Sequence, residues 1–391
     1  MKKLLIAVLC MVLVLGMSAC GNNAEVEDVE SGSTEVVEKQ GDTVEVTDVR
    51  GRTVEVPREI KTAYYPYYYE NLLTICGEDI FNTITATSVY DTEHYSKTMW
   101  DLLMEKAPGF TDMEDVGSTI NGDFDLEKLI SLNPDVAILA NYQYSVIGDE
   151  GISNLEQAGI PVVFIDYTLL TPEAHIDSTL ILGKVFNKED RAKELADQYK
   201  EKTDKIAEIV KNIPKDKRKT VYLEVRSSLK SYKDYGKAYG NDGMLSLMAG
   251  YAGAENIFAD VQGSVDPDPE FLFESDPDFM FIDGGNFDDN SLGIKTGYTV
   301  DSETTKETLT DLVKGREGWE NLSSVKNKNV YTIDNDIMRT LKDYVIIEYI
   351  GKQLYPEEFK DFDPEKETEE FIKKYVPLLP ADSCFFQQLG E

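Results

Sequence analysis

The stretch Glu127-Lys-Leu129-Ile-Ser-Leu-Asn-Pro134-Asp135-Val-Ala-Ile-Leu139 reads as a short helix, a stop and a buried strand. Proline cannot continue a helix, and the apolar run after Asp135 suits a strand covered on both faces. The phrase returns as Glu270-Phe-Leu272-Phe-Glu-Ser-Asp-Pro277-Asp278-Phe-Met-Phe-Ile282. The glutamates and the prolines are both offset by 143 residues (270 − 127). Helix-Pro-Asp-strand is a common connector, so the equal spacing carries the inference more than the phrase does. It implies two αβ halves a domain apart, with a binding cleft between them.

Working outward, strand-like runs at Thr83–Thr87, Asp135–Ala140 and Pro161–Ile165 alternate with helices, the pattern of a parallel or mixed sheet. Before them, Thr43-Val-Glu-Val and Thr53-Val-Glu-Val around Arg50-Gly51 form an opening hairpin. From Thr171 to Pro214 strand signals vanish. Pro172 opens a helix that Gly183 and Asn187 interrupt, and Lys188–Asn212 carries one apolar stripe at helical spacing. A helix of that length spans roughly 37 Å, a stiff strut between lobes. Strands return at Thr220–Val225, Phe279–Asp283 and Asn329–Ile333. Helices are expected near Asp242–Ala249, Glu270–Ser275, Thr304–Lys314, Tyr344–Leu354 and Glu365–Tyr375. The fold class is therefore α/β, with boundaries at 43–171 for the first lobe, 172–214 for the linking helices and 215–391 for the second lobe.

Lys2 and Lys3, the apolar run Leu4–Leu15 and Met17-Ser18-Ala19-Cys20 form a secretory leader over residues 1–20. A cysteine after Ser-Ala resembles a bacterial lipobox, with Met17 where leucine is usual. This makes Cys20 the lipidated first mature residue; an ordinary signal peptide or an uncleaved anchor are the alternatives. Residues 21–42 are acidic and polar, a flexible tether. The formal charge is −34, or −36 without Lys2 and Lys3, which argues against nucleic acid and anionic lipid as partners. Cys76 and Cys384 lie too far apart in sequence to imply a disulfide and are expected to be inert thiols.

Several segments together resemble the substrate-binding lipoproteins of ABC importers that carry ferric siderophores, haem or corrinoids. They are Asp48-Val-Arg-Gly-Arg52 with Val54-Glu-Val-Pro57, Asp125 through Pro134-Asp135, Gly318-Trp319 through Val325-Lys326-Asn327 to Val330-Tyr331, and Tyr355-Pro356-Glu357 with Phe359. The resemblance covers Thr43 to Tyr375. It implies two Rossmann-like lobes joined by a single long α-helix, the class III periplasmic-binding-protein fold, with modest closure. It also implies an extracytoplasmic monomer, lipid-anchored to the outer face of the bacterial cytoplasmic membrane. Glu127 and Glu270 match the positions that dock on permease arginines in that family; each is equally a carboxylate favoured by a helix N-terminus.

Ligand residues are expected on loops at the strand ends facing the cleft. The candidates are Tyr65, Tyr67, Tyr68, Tyr69, Tyr90, His94, Tyr142 and Tyr144 in the first lobe. In the second they are Arg226, Tyr235, Lys237, Tyr239, Asn286 and Arg339. Phenols offer a flat apolar face and a polar tip, and the cations favour an acidic ligand such as a ferric siderophore over a corrinoid. With only His94 and His175, a bare metal ion is disfavoured, and no cofactor is expected. His175 is expected to be structural. No nucleophile elbow, P-loop or His-Glu-x-x-His occurs, so no enzymatic activity is expected. A ligand-sensing lipoprotein and a surface hydrolase are the readings from other classes.

Overall fold

The alternating valines of the opening segment pair as antiparallel strands β1 (Thr43–Thr47) and β2 (Thr53–Pro57). Val46, Val54 and Val56 turn inward, and Gly51 takes the turn at φ 74°. The Asp48 carboxylate accepts the backbone N–H groups of Arg50 and Arg52 at 2.9 and 3.0 Å, fixing the bend. The computed structural model describes residues 42–285 and 292–390. The leader, Cys20, most of the tether and Asn286 lie outside the described residues.

The first lobe holds β3 (Ala63–Tyr64), β4 (Ile84–Thr87), β5 (Glu114–Asp115), β6 (Val136–Ala140) and β7 (Val162–Ile165). Their order is β5-β4-β3-β6-β7, and every pairing is parallel. All residues of β6 and β7 are buried, as strands covered on both faces require. The second lobe holds β8 (Thr220–Glu224), β9 (Ala238–Tyr239), β10 (Glu255–Asn256), β11 (Ser264–Val265), β12 (Phe279–Gly284), β13 (Val330–Asp334) and β14 (Phe386–Gln388). Here β8, β12 and β13 are parallel at the centre, flanked by antiparallel β9 and β14.

The repeated phrase builds the same device twice. Helices Leu126–Leu132 and Pro269–Ser275 are capped by Asp125 and Asp268, whose carboxylates accept first-turn N–H groups. Each helix ends on a left-handed residue, Asn133 at φ 47° and Asp276 at φ 38°. The aspartate after each proline then clamps the start of a neighbouring strand. Asp135 Oδ2 accepts the N–H groups of Lys61 and Thr62 at 2.8 and 3.1 Å. Asp278 Oδ2 accepts the N–H and hydroxyl of Thr220 at 3.1 and 3.3 Å.

Helices Pro172–Val185 and Glu189–Lys211 connect the lobes. The second has 23 residues, about 34 Å of strut. It packs on helix Tyr69–Cys76 of the first lobe and on helices Met244–Tyr251 and Tyr344–Leu354 of the second. The break between the two helices falls at Asn187, φ 54°. Gly183 does not interrupt its helix, contrary to the sequence expectation. It lies inside it because a Cβ there would meet Ala192 Cβ at 2.2 Å, so the glycine lets the paired helices touch. One apolar cluster runs through both lobes and the strut, while each sheet keeps a private cluster on its outer face.

Candidate functional site

The carboxyl ends of β3 and β13 face each other across the cleft. Tyr67, Tyr68 and Asn71 follow β3; Asp336, Met338 and Arg339 follow β13. Tyr68 and Arg339 both hold left-handed backbones, φ 62° and 70°. Such a conformation costs a side-chain-bearing residue on the order of 1–3 kcal/mol, and it concentrates at binding sites. Tyr67 packs at 4.6 Å from Tyr68 and 6.4 Å from Tyr95, forming an aromatic wall. The Arg339 guanidinium stands 6.0 Å from the Tyr67 ring. Its Nη1 meets Met244 Sδ at 2.9 Å and its Nη2 meets Asn335 Oδ1 at 3.3 Å, while Nε is buried with no acceptor among the described residues. A thioether is a weak acceptor, so this cation is under-satisfied.

A buried latch closes the floor. Glu70 of the first lobe pairs with Lys342 of the second, and Tyr298 donates to Glu70 Oε2 at 2.8 Å. Asn71 donates to the Arg339 carbonyl at 2.8 Å and accepts the Leu341 N–H at 2.9 Å. At the mouth, Arg226 Nη2 reaches the Tyr95 carbonyl at 3.5 Å across the lobes. The cavity at the floor is about 20 Å³, room for one water.

Carboxylates ring the cations. Asp336 Oδ1 pairs with Arg226 Nη1 at 2.8 Å. Burial pushes Asp283 up to about 7 despite donors from Tyr239 and Asn335. Burial and the neighbouring Asp336 charge push Asp334 up to about 8. Behind Arg339, the Asp343 carboxylate accepts its N–H at 3.2 Å and the Tyr199 hydroxyl at 2.8 Å. His175 Nδ1 lies 3.4 Å from Asp343, tying the cleft to the strut.

The structure brings Tyr67, Tyr68, Arg226 and Arg339 together at the cleft. It corrects Tyr65 and Tyr69, which are core residues. The Tyr69 hydroxyl bonds Thr87 at 2.7 Å among Phe81 and Phe110, and the Tyr65 hydroxyl bonds the Tyr68 carbonyl. Tyr144 instead lies under Arg50, 3.5 Å from its guanidinium, and donates to Asp149. Tyr235 accepts from Trp319 Nε1 at 2.8 Å in the outer cluster of the second lobe. Tyr239 is buried and donates to Asp283, behind the cleft wall. Tyr142 donates to buried Asp91 at 3.3 Å. Tyr90 stacks on exposed His94 at 5.0 Å, and Lys237 is exposed. Sequence reasoning missed Glu70, Tyr298 and Asp336. For Asp336 a signal existed, its place just past the carboxyl end of a central strand; Glu70 and Tyr298 carry none.

Glu127 and Glu270 are both exposed in the first turns of the repeated helices. Beside Glu270, Phe271 and Phe273 remain 40% and 37% exposed.

Two Rossmann-like lobes, a helical strut and an aromatic, cationic cleft define a solute-binding protein of the class III type. A family model for periplasmic binding proteins matches residues 68–337, and the chain belongs to that family. The ABC transporter substrate-binding lipoprotein YvrC of Bacillus subtilis is 27% identical over 238 residues, covering 60% of this chain and 67% of its own. The Fe(3+)-citrate-binding protein YfmC of the same organism is 26% identical over 239 residues, 60% of this chain and 64% of its own. The crystal structure of FepB, a TroA-like periplasmic binding protein from Veillonella parvula, has 27% identity. Its TM-score is 0.83, with 89% of this chain and 100% of that one covered. The chain is thus a solute-binding protein of the kind that serves ABC importers, and the proteins it is similar to are solute-binding proteins rather than enzymes.

Proposed function

We propose that the protein captures a ferric siderophore-type chelate outside the cytoplasmic membrane and hands it to an ABC permease. The observation that carries this reading is Arg339, a cleft guanidinium with no acceptor at Nε among the described residues, set against the Tyr67 ring beside Tyr68. An acidic donor group of a chelate would complete its hydrogen bonds, and the phenol faces would cover the organic shell. Lipidation at Cys20 followed by the 21–42 tether would hold the receptor near its permease. Glu127 and Glu270 would dock on paired arginines of a two-fold permease, one from each lobe.

The test is the absorption spectrum of the protein purified from iron-replete cells. A ferric-chelate charge-transfer band supports the reading. A Soret band or a corrinoid spectrum reassigns the ligand to haem or cobalamin.

A further inference from the structure

Resting on that reading of the cleft, we infer that Asp336 sets the charge of the ligand the cleft accepts, by holding Arg226 in an internal pair. Two guanidinium groups stand past the carboxyl ends of the second-lobe strands, and their states differ. The nitrogens of Arg339 meet a thioether, an amide oxygen and, at Nε, no acceptor among the described residues. Arg226 is already engaged. Its Nη1 lies 2.8 Å from Asp336 Oδ1, and the two side chains are 10% and 5% exposed. Asp336 lines the cavity beside Arg339 while Arg226 does not, so the Asp336 carboxylate stands between the cavity and the Arg226 guanidinium that it pairs with.

The anchoring of Asp336 is firm. It sits in the single turn Asn335–Ile337 directly after β13, and its N–H is held by Asp334 Oδ1 at 3.1 Å. The other cleft cation, Lys342, is neutralised by Glu70. Among the described residues, the Arg339 guanidinium therefore has no carboxylate among its hydrogen-bond partners. A chelate presenting one anionic edge, or a neutral chelate with carbonyl donors, meets that unsatisfied donor at no cost to the existing pairs. A polyanionic chelate must displace Asp336 from Arg226 and leave a buried carboxylate unpaired beside its own charge, a penalised arrangement. Asp336 selects against polyanions.

The test titrates the full chain with two probes of different charge, a neutral ferric trihydroxamate and ferric citrate, by calorimetry. D336N, D336S and the double variant R226Q/D336N are compared with wild type, with thermal melting as the folding control. D336N is expected to tighten ferric citrate at least tenfold and to change the hydroxamate less than threefold. D336S repeats this should D336N not fold, and R226Q/D336N loses the gain. Equal tightening of both probes, no tightening of ferric citrate, or a gain that survives removal of Arg226 overturns the inference. Failure of wild type and D336N alike to bind either probe counts against the chelate reading instead.

Discussion

Individual side chains in this protein carry large opposing energies, and Glu348 shows it most simply. Both its carboxylate oxygens are buried without a hydrogen-bond partner among the described residues, with Lys202 Nζ 3.7 Å away. Burial and the nearby Glu367 push it up to about 8, from an ordinary value near 4.3. Between those two pH values the folded chain holds a proton that the unfolded chain has released. Stability is therefore full below about pH 4 and falls as pH rises through 8. Asp334, at about 8, and Asp283, at about 7, act in the same direction. E348Q is expected to melt like wild type near pH 5 and to be more stable by roughly 1–3 kcal/mol above pH 8. Calorimetric melts across pH check it; equal pH slopes in both proteins would refute it. At this scale the sequence was least legible. The run Tyr64–Tyr69 announces a cluster of phenols, but not which ones face the cleft. Tyr67 and Tyr68 reach it because Tyr68 turns left-handed, and Tyr69, one residue on, is rotated into Phe81 and Phe110. Nothing local encodes that turn.

The secondary-structure elements were more legible. The apolar runs after Pro134 and Pro277 are strands because they are covered on both faces, and a four- to six-residue unbroken run records that directly. The strut is legible because one stripe of Ala192, Leu195, Tyr199, Ile206 and Val210 alternates with charges over six turns. The short pieces β9, β11 and β14 escape because two or three residues make no period, and β14 also pairs with a strand far back in the chain, Ile333 with Phe386. Gly183 was misread as a breaker because a glycine required by a neighbouring helix looks the same in sequence as one that ends a helix. G183A places a methyl group on Ala192 and is expected to destabilise the chain by about 1–3 kcal/mol. Denaturant unfolding measures this. A variant as stable as wild type would mean that the two helices can part freely.

Over the whole molecule, the duplicated phrase proved the most informative sequence feature. It places the same capped helix, left-handed stop and Asp–Thr clamp on each lobe, with one exposed glutamate at the head of each helix. E127A/E270A is expected to bind ligand as wild type does and to abolish uptake into cells; unchanged uptake would remove the docking role. What the sequence could not express is the latch between lobes. Glu70, Tyr298 and Lys342 are brought together from segments more than two hundred residues apart at the widest. A chelate needs a far larger cavity than this site leaves, so the latch must part before a ligand enters, with the strut as the element about which the lobes separate.

The most direct measurement is a titration of the purified chain with a ferric hydroxamate, haem and cobalamin, followed by tryptophan fluorescence, beside R339Q. Trp100 lies one residue beyond the cleft residue Met99 and is the natural reporter. The account predicts saturable one-to-one quenching by a ferric chelate, weakened at least tenfold in R339Q. Absence of quenching by any of the three, or equal affinity in R339Q, would contradict it.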